Sequence, residues 1–318
     1  MMRVLFVCSG NGAKISPIIE NQANSIMEEG TKVDFFLIKG KGISGYLGNI
    51  LPLYTYMQTY KYDIVHAHYS LSAFVASLAG AKPLVVSLMG SDVKSKKYFK
   101  LIIRLFAWIY SWSAIIVKSQ DMYNNLKMRK ANIIPNGVDF SRFKPLDKID
   151  SQQRLGWDCD KIHILFPSNP VRKEKNYNLA IAALKTSLLN NWEIHTLVNV
   201  PNEDIPLWCN AASVVLMTSL WEGSPNAIKE AMACNRPIVS TDVGDVRYLF
   251  GETDGCYITS RDKENCISQI RKAIQFSKEH PQTNGRSRLI NLGLDIHQVA
   301  QQILRIYESV SYTHLTLP

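Results

Sequence analysis

"SVVLMTSLWEGSPNAIKEAMACNRPIVSTDVGDV" (213–246) decides the fold class of this chain. It opens with the short aliphatic run "SVVLMTS" (213–219), of strand length and rich in β-branched residues. A loop with Trp221, Glu222 and Gly223 follows. Ser224 reads as a helix N-cap and Pro225 as the first helical residue, where a missing N–H costs nothing. The helical pattern then gives way to a second apolar run, "PIVSTDV" (237–243), and a Gly turn. Strand, helix and strand in that order are the unit of a parallel sheet covered by helices.

The same alternation extends in both directions. Upstream, "RVLFVCS" (3–9), "KVDFFLI" (32–38), "DIVHAHY" (63–69), "PLVVSLM" (83–89) and "AIIVKS" (114–119) read as strands, and "NIIPNGVD" (132–139) follows. Between the first two lies the helix "SPIIENQANSIMEE" (16–29), with Ser16 as cap and Gly30 as terminator. After a loop with Pro145 the pattern restarts at "KIHILFPS" (161–168), a helix from about Asn176, and "EIHTLVN" (193–199). Two further helices are expected at 263–278 and 297–310. Two such series predict an α/β protein of two Rossmann-like, doubly wound parallel-sheet domains facing a central cleft, with ligands at the carboxyl ends of the strands. The expected boundaries are 1–148 and 149–310, the last helix packing back on the first domain. The final residues "SYTHLTLP" (311–318) have no strand or helix period and read as a tail foreign to the fold.

Composition sets the outer bounds. The chain has 318 residues, 46% of them hydrophobic and 20% charged, which suits two folded domains and not a disordered chain. No apolar stretch reaches the roughly 18–20 residues of a membrane span, and the N-terminus lacks the pattern of a signal peptide. Six scattered cysteines form no C-x-x-C pair and read as reduced thiols of a cytoplasmic protein. The net charge of +9 is uneven. Residues 1–140 carry 16 Lys/Arg against 8 Asp/Glu, and residues 141–318 carry 20 against 19. A basic first half suits a phosphorylated ligand or an anionic membrane surface, and no nucleic-acid-binding signature accompanies it.

The loop of the opening stretch has its own chemistry. The free N–H groups and the dipole at the start of its helix form an anion site suited to a diphosphate. Glu222 lies just before the helix and Glu230 further down it. A carboxylate on each side of a bound diphosphate fits a nucleotide-diphosphate-sugar, with Gly223, Ser224, Pro225 and Asn226 at the phosphate end.

"TSLWEGSPNAIKEAMACNRPIVSTDVGDV" (218–246) closely resembles the E-x7-E region of the family-4 retaining glycosyltransferases, which have the GT-B fold. "IIPNGVDFSRF" (133–143), "DIVHAHYS" (63–70), "VVSLMGSDV" (85–93) and "SGNGA" (9–13) resemble other segments of that family, so the likeness extends to about residue 310. The flavour is that of bacterial cell-surface polysaccharide enzymes, of the capsule or teichuronic acid type. The resemblance implies that Glu222 contacts the transferred sugar and Glu230 the nucleotide ribose. It implies a donor sugar moved with retention to a hydroxyl of a saccharide or lipid-linked saccharide. Neither cofactor nor metal is expected, since the departing phosphate itself takes the acceptor proton. Lys175 matches the family's phosphate-binding Lys, while Arg172 stands as a shifted substitute for its Arg. Met89 stands where many members have His, and Tyr248 where an acidic residue often stands.

Other residues keep two readings each. Gly10 and Gly12 after the first strand are a ligand loop, on the donor side at Gly12 and the acceptor side at Gly10, or a plain turn. His66 and His68 share a strand face by period two. His68 is an acceptor-side group or a structural histidine. Asp92 orients the acceptor or caps a helix, and Asn136 with Gly137 contacts ligand or only turns the chain. The segment "KSKKYFKLIIRLFAWIYSW" (94–112) carries Lys97, Lys100 and Arg104 on one stripe, with Trp108 and Trp112 elsewhere. It is a helix lying on anionic lipid at the inner membrane face, or a core helix. Two alternatives to transfer remain open: a nucleotide-sugar epimerase of the same architecture, and a catalytically silent sugar-nucleotide-binding subunit.

Overall fold

The computed structural model describes residues 1–11, 15–90, 92, 97–128, 130–187 and 189–316, with the side chains of Lys97 and of 313–316 outside the description. The chain divides into two units, Met1–Gly137 with Ile296–Pro318, and Val138–Asp295. The division thus falls at Gly137 instead of near 148, and the C-terminal helix is assigned to the first unit.

The first unit runs Arg3–Ser9 (β1), Pro17–Glu28 (α1), Lys32–Ile38 (β2), Gly42–Leu47 (α2), Ile50–Thr59 (α3), Ile64–His68 (β3), Ser70–Leu78 (α4), Leu84–Ser87 (β4), Lys97–Ile109 (α5), Ala114–Val117 (β5), Gln120–Leu126 (α6) and Ala131–Ile133 (β6). Its sheet is parallel throughout, in the order β2-β1-β3-β4-β5-β6. Strands β3, β4 and β5 are buried at every residue, as strands covered on both faces must be. The apolar runs of β4 and β5 are the sequence signature of that burial, whereas β3 buries two histidines at alternate positions. Apolar clusters lie on either side of the sheet. One joins β-strand residues to α4 and α5 through Ala76 and Ile103, and to Trp112 just beyond α5. The other joins them to α1 and the C-terminal helix through Ala23, Ile26, Ile303 and Tyr307.

The second unit runs Lys148–Leu155 (α7), Ile162–Phe166 (β7), Tyr177–Thr186 (α8), Trp192–Thr196 (β8), Ile205–Ala211 (α9), Val214–Met217 (β9), Asn226–Ala233 (α10), Ile238–Thr241 (β10), Val246–Phe250 (α11), Cys256–Thr259 (β11), Lys263–Glu279 (α12) and Gly285–Asn291 (α13). Its parallel sheet has the order β11-β10-β9-β7-β8. The order reverses between β7 and β9, so the loops after those two strands leave the sheet side by side. The last helix, Ile296–Thr316 (α14), returns to the first unit. There the Tyr307 hydroxyl lies 2.5 Å from Nδ1 of buried His66, whose Nε2 is 2.8 Å from the Ser87 hydroxyl.

Local expectations differ from the structure in four places. α14 runs through Thr316, so most of the expected tail is helical in backbone. Its Ser and Thr residues carry no apolar period, and helical propagation from the preceding turns needs none. The segment expected at 132–139 forms a strand only over Ala131–Ile133, because Pro135 cannot donate to the ladder. Ser16 stands at the N-cap of α1 without a side-chain cap hydrogen bond. The short edge strand β11 has too few residues to declare a period.

Candidate functional site

Glu222 and Lys175 meet at the carboxyl ends of β9 and β7. Lys175 Nζ donates to Glu222 Oε1 at 2.5 Å, and the Ser219 hydroxyl donates to the same oxygen at 2.8 Å. Both charged side chains are largely covered, at 12% and 14% exposure, so water screens the pair little. The two loops are tied together along their length. Thr218 Oγ1 donates to the carbonyls of Lys175 and Asn176, and Leu220 N–H donates to the carbonyl of Glu174. Thr241 at the end of β10 holds the Ser219 carbonyl at 2.7 Å, and Arg261 donates to the carbonyl of Leu220. Asn176 takes a left-handed backbone, φ 52°, a conformation that Asn tolerates better than most residues. Arg172 is not part of this meeting. Its guanidinium bonds Glu174 at 2.6–2.7 Å and is more than half exposed.

Helix α10 starts one residue later than its sequence suggests. Pro225 is the N-cap and Asn226 the first helical residue. Proline has no side-chain oxygen to cap with, so among the described residues no side-chain cap satisfies the first-turn N–H groups. The Ser224 hydroxyl and Asn226 Oδ1 are buried there and have no hydrogen-bond partner among the described residues. At a helix N-terminus the Ser224 hydroxyl, which can donate, suits an incoming anion, whereas Asn226 Oδ1 only accepts and suits a donor such as a hydroxyl. Buried Gly223 belongs to the same turn. A Cβ on Gly244, whose φ is +63°, would stand 2.4 Å from the Gly223 carbonyl oxygen and 3.3 Å from that of Glu222. Gly244 therefore lets the turn after β10 press against the backbone that carries Glu222.

Charge surrounds the rest of α10. Burial pushes the Glu230 carboxyl up to about 7, with Lys229 and Arg142 pulling the other way. Lys229 is fully buried, and burial pushes it down to about 8 despite the nearby acids Asp245 and Glu230. Burial also raises the Asp245 carboxyl, while Lys229 and Ser224 act to lower it. Neither Asp245 oxygen accepts a well-aligned hydrogen bond among the described residues, although the Ser224 side chain helps to hold its carboxyl down. Lys229, Gly244 and Asp245 were missed as site residues. Lys229 sits inside an ordinary helical pattern, whereas the "GD" step was visible in the opening stretch.

The first unit places its candidates separately. His68 is 1% exposed, and its ring stacks on His66 with centroids 4.2 Å apart. Both its nitrogens lack a hydrogen-bond partner among the described residues, and burial followed by the Lys118 charge pushes it down to about 3. It is a neutral core ring at the end of β3. Buried Asp92 accepts from the N–H groups of Met89, Gly90 and Ser70, so it shapes its own loop and caps the start of α4, while residues 93–96, on which its capping of a following helix turns, lie outside the described residues. Gly10 donates to the Ile38 carbonyl, and a Cβ there would stand 2.7 Å from Leu37 Cβ. The neighbouring strand alone explains that glycine. Asn136 is partly buried where the first segment of the unit ends at Gly137. Gly12 lies outside the described residues.

Helix α5 departs from its expected layout. Arg104 donates to the Leu126 carbonyl at 2.8 Å, and Lys100 reaches Asn125 at 3.4 Å, so these two basic groups face α6. Trp112 is buried and donates to the Ser77 hydroxyl, which takes it off any membrane face. The side open to solvent carries Leu101, Leu105, Trp108 and Ile109, with Trp108 78% exposed. Among the described residues no helix is long and apolar enough to cross a membrane.

Known proteins share this architecture and these segments. The chain is 30% identical over 237 residues to a Bacillus subtilis protein named as a teichuronic acid biosynthesis glycosyltransferase, TuaC, the match covering 66% of this chain and 61% of that one. The chain therefore spans less than two thirds of that relative. It is 26% identical over 305 residues to the Escherichia coli UDP-Gal:alpha-D-GlcNAc-diphosphoundecaprenol alpha-1,3-galactosyltransferase, covering 81% and 78%. Anabaena Alr3699/HepE, solved in complex with UDP, superposes with a TM-score of 0.77 at 17% identity, covering 97% of this chain and all of that one. That likeness shows the two-sheet GT-B fold. Residues 11–142 match the family model described as Glycosyltransferase Family 4, and residues 163–275 match that described as Glycosyl transferases group 1. With these matches in both halves, the chain belongs to the GT-B glycosyltransferases of family 4.

Proposed function

We propose that this chain transfers a sugar from a nucleotide-diphosphate donor to a hydroxyl of a saccharide or lipid-linked saccharide, with retention and without a catalytic metal, in the building of a cell-surface polysaccharide. The observation that carries the reading is the covered Lys175–Glu222 pair beside the uncapped start of α10. The diphosphate binds the first-turn N–H groups, with the Ser224 hydroxyl and Asn226 beside it. Lys175 leaves part of its contact with Glu222 for the phosphate and stabilises the charge that grows on it as the sugar departs. Glu222, held by Ser219, receives a sugar hydroxyl. Glu230 accepts from the ribose. Arg172 joins the phosphate only by leaving Glu174, so its share is the smaller of the two cations. The phosphate released takes the acceptor proton, and the protein contributes position and fixed charge. The named relatives of the polysaccharide and lipid-diphosphate type support the substrate class, and a solved neighbour that holds UDP supports the donor.

The test is calorimetry with UDP and GDP together with transfer kinetics over a panel of nucleotide-sugars. Glu230→Ala is expected to weaken nucleotide binding by about tenfold or more. Glu222→Ala and Lys175→Met are expected to lower kcat by about 10²–10³. Unchanged binding and turnover in all three variants would remove the assignment. On the first unit, the apolar face of α5 is the proposed contact with an anionic membrane surface.

A further inference from the structure

The second sheet brings two imidazoles and a carboxylate together away from the loops just described. The register sets His163 opposite Glu193 and Leu165 opposite His195. Residues two apart on a strand share a face, so His163, Glu193 and His195 all stand on one side of the β7–β8 pair. His163 is the second residue of β7, toward the end opposite the loop that carries Lys175. Its Nδ1 lies 2.9 Å from Nε2 of His195. Glu193 Oε2 is 3.8 Å from the first nitrogen and 3.9 Å from the second.

Each of the three groups has its own positioner. His163 Nε2 is 2.8 Å from the carbonyl of Asp158. A carbonyl only accepts, so that nitrogen carries the hydrogen and Nδ1 presents a lone pair. Lys161 holds Glu193 Oε1 at 2.5 Å, which leaves Oε2 turned toward the rings. Trp157 stacks on His195 with centroids 3.6 Å apart and planes at 7°, and Trp208 stands edge-on to it. A histidine whose second nitrogen is held by a backbone carbonyl, beside a hydrogen-bonded carboxylate, is the usual surrounding of a metal ligand. Nothing in the proposed sugar transfer uses these residues.

We propose that His163 Nδ1, His195 Nε2 and Glu193 Oε2 bind a divalent transition-metal ion of the zinc class, which clamps β7 to β8. Two imidazoles and one carboxylate form a donor set that zinc accepts, with water in the fourth position. Bond lengths of about 2.0–2.1 Å in a tetrahedral site put two ligand nitrogens about 3.3 Å apart. The ring pair therefore opens by a few tenths of an ångström, and the carboxylate closes by about half an ångström. Glu193, 39% exposed, has the freedom to move and marks the side from which the ion enters. On binding, the hydrogen between the rings passes from His195 Nε2 to its Nδ1 through solvent, so no proton is gained or lost.

The test uses the full chain, stripped with a chelator and then titrated with zinc sulfate by calorimetry, and with Co²⁺ by visible absorption. One ion per chain is expected, with d–d bands of four-coordinate cobalt and a melting temperature that rises with zinc. His163 is buried and its replacement endangers folding. Glu193→Gln and His195→Gln therefore carry the test, each expected to weaken binding by about 10–100-fold with the circular dichroism unchanged. A chain that takes up no stoichiometric ion, or binds it as well in the double variant, would show only a hydrogen-bonded histidine pair and overturn the proposal.

Discussion

At the scale of single residues, the proposed ribose contact of Glu230 would couple pH to ligand. Its carboxyl titrates near 7 in the folded chain against an ordinary value of 4.5, because burial disfavours the charge. A folded value above the unfolded one means that the folded state holds the proton more tightly between the two. The stability that this adds is fully present below about 4.5 and is lost as pH rises through about 7. Binding runs the other way, since the ionised carboxylate is the stronger acceptor for a ribose hydroxyl. UDP affinity is therefore expected to fall as pH drops through about 7, and Glu230→Gln to flatten that part of the profile. Calorimetry from pH 5 to 8 on both proteins reads it, and parallel profiles would separate Glu230 from the ribose. The spacing of Glu222 and Glu230 and the likeness of Lys175 to the family Lys were readable along the chain. That Arg172 turns to Glu174 was not, because no local pattern tells which acid a loop cation finds.

At the scale of elements, turns decide where the functional groups stand. Gly244→Ala is expected to strain a left-handed turn and to push back the carbonyls of Gly223 and Glu222, 2.4 and 3.3 Å from the new Cβ. It should destabilise by about 1–3 kcal/mol and lower turnover by more than that loss of folded protein explains. Thermal melts beside kinetics check this, and a neutral alanine would mean that the loop has slack. Helix α5 gives a second contrast. Trp108→Ser on the open face should reduce flotation with anionic vesicles at a stability change within about 0.5 kcal/mol. Trp112→Ala in the core should cost about 3–5 kcal/mol. A helix pattern shows that two faces exist. It does not show that α6 takes up Lys100 and Arg104 and that the aliphatic side stays open.

At the scale of the whole molecule, chain order and spatial order part company. The second unit is one continuous segment, Val138–Asp295, whereas the first is completed by α14 from the far end of the sequence. Removing residues 296–318 uncovers Ile26 and the His66 ring that Tyr307 meets. Residues 138–295 expressed alone are expected to melt cooperatively and to bind UDP. Residues 1–137 alone are expected to lack a cooperative melt until a peptide of 296–316 is added. Circular dichroism melts of the three samples check this. A well-folded 1–137 segment would mean that α14 is dispensable.

The alternation of strands and helices, the two parallel sheets, and the helix that carries Glu230 just after the Glu222 loop follow from the sequence by itself. Each is written in a contiguous stretch of a few turns, where period, caps and β-branched runs act between near neighbours. The tertiary structure alone decided that Lys175 closes on Glu222, that His68 is shut in the core, and that His163 stands against His195. It also decided that α14 belongs to the first unit. Those pairings join residues tens to hundreds of positions apart. Strand order and register bring them together, and neither is a property of any local segment.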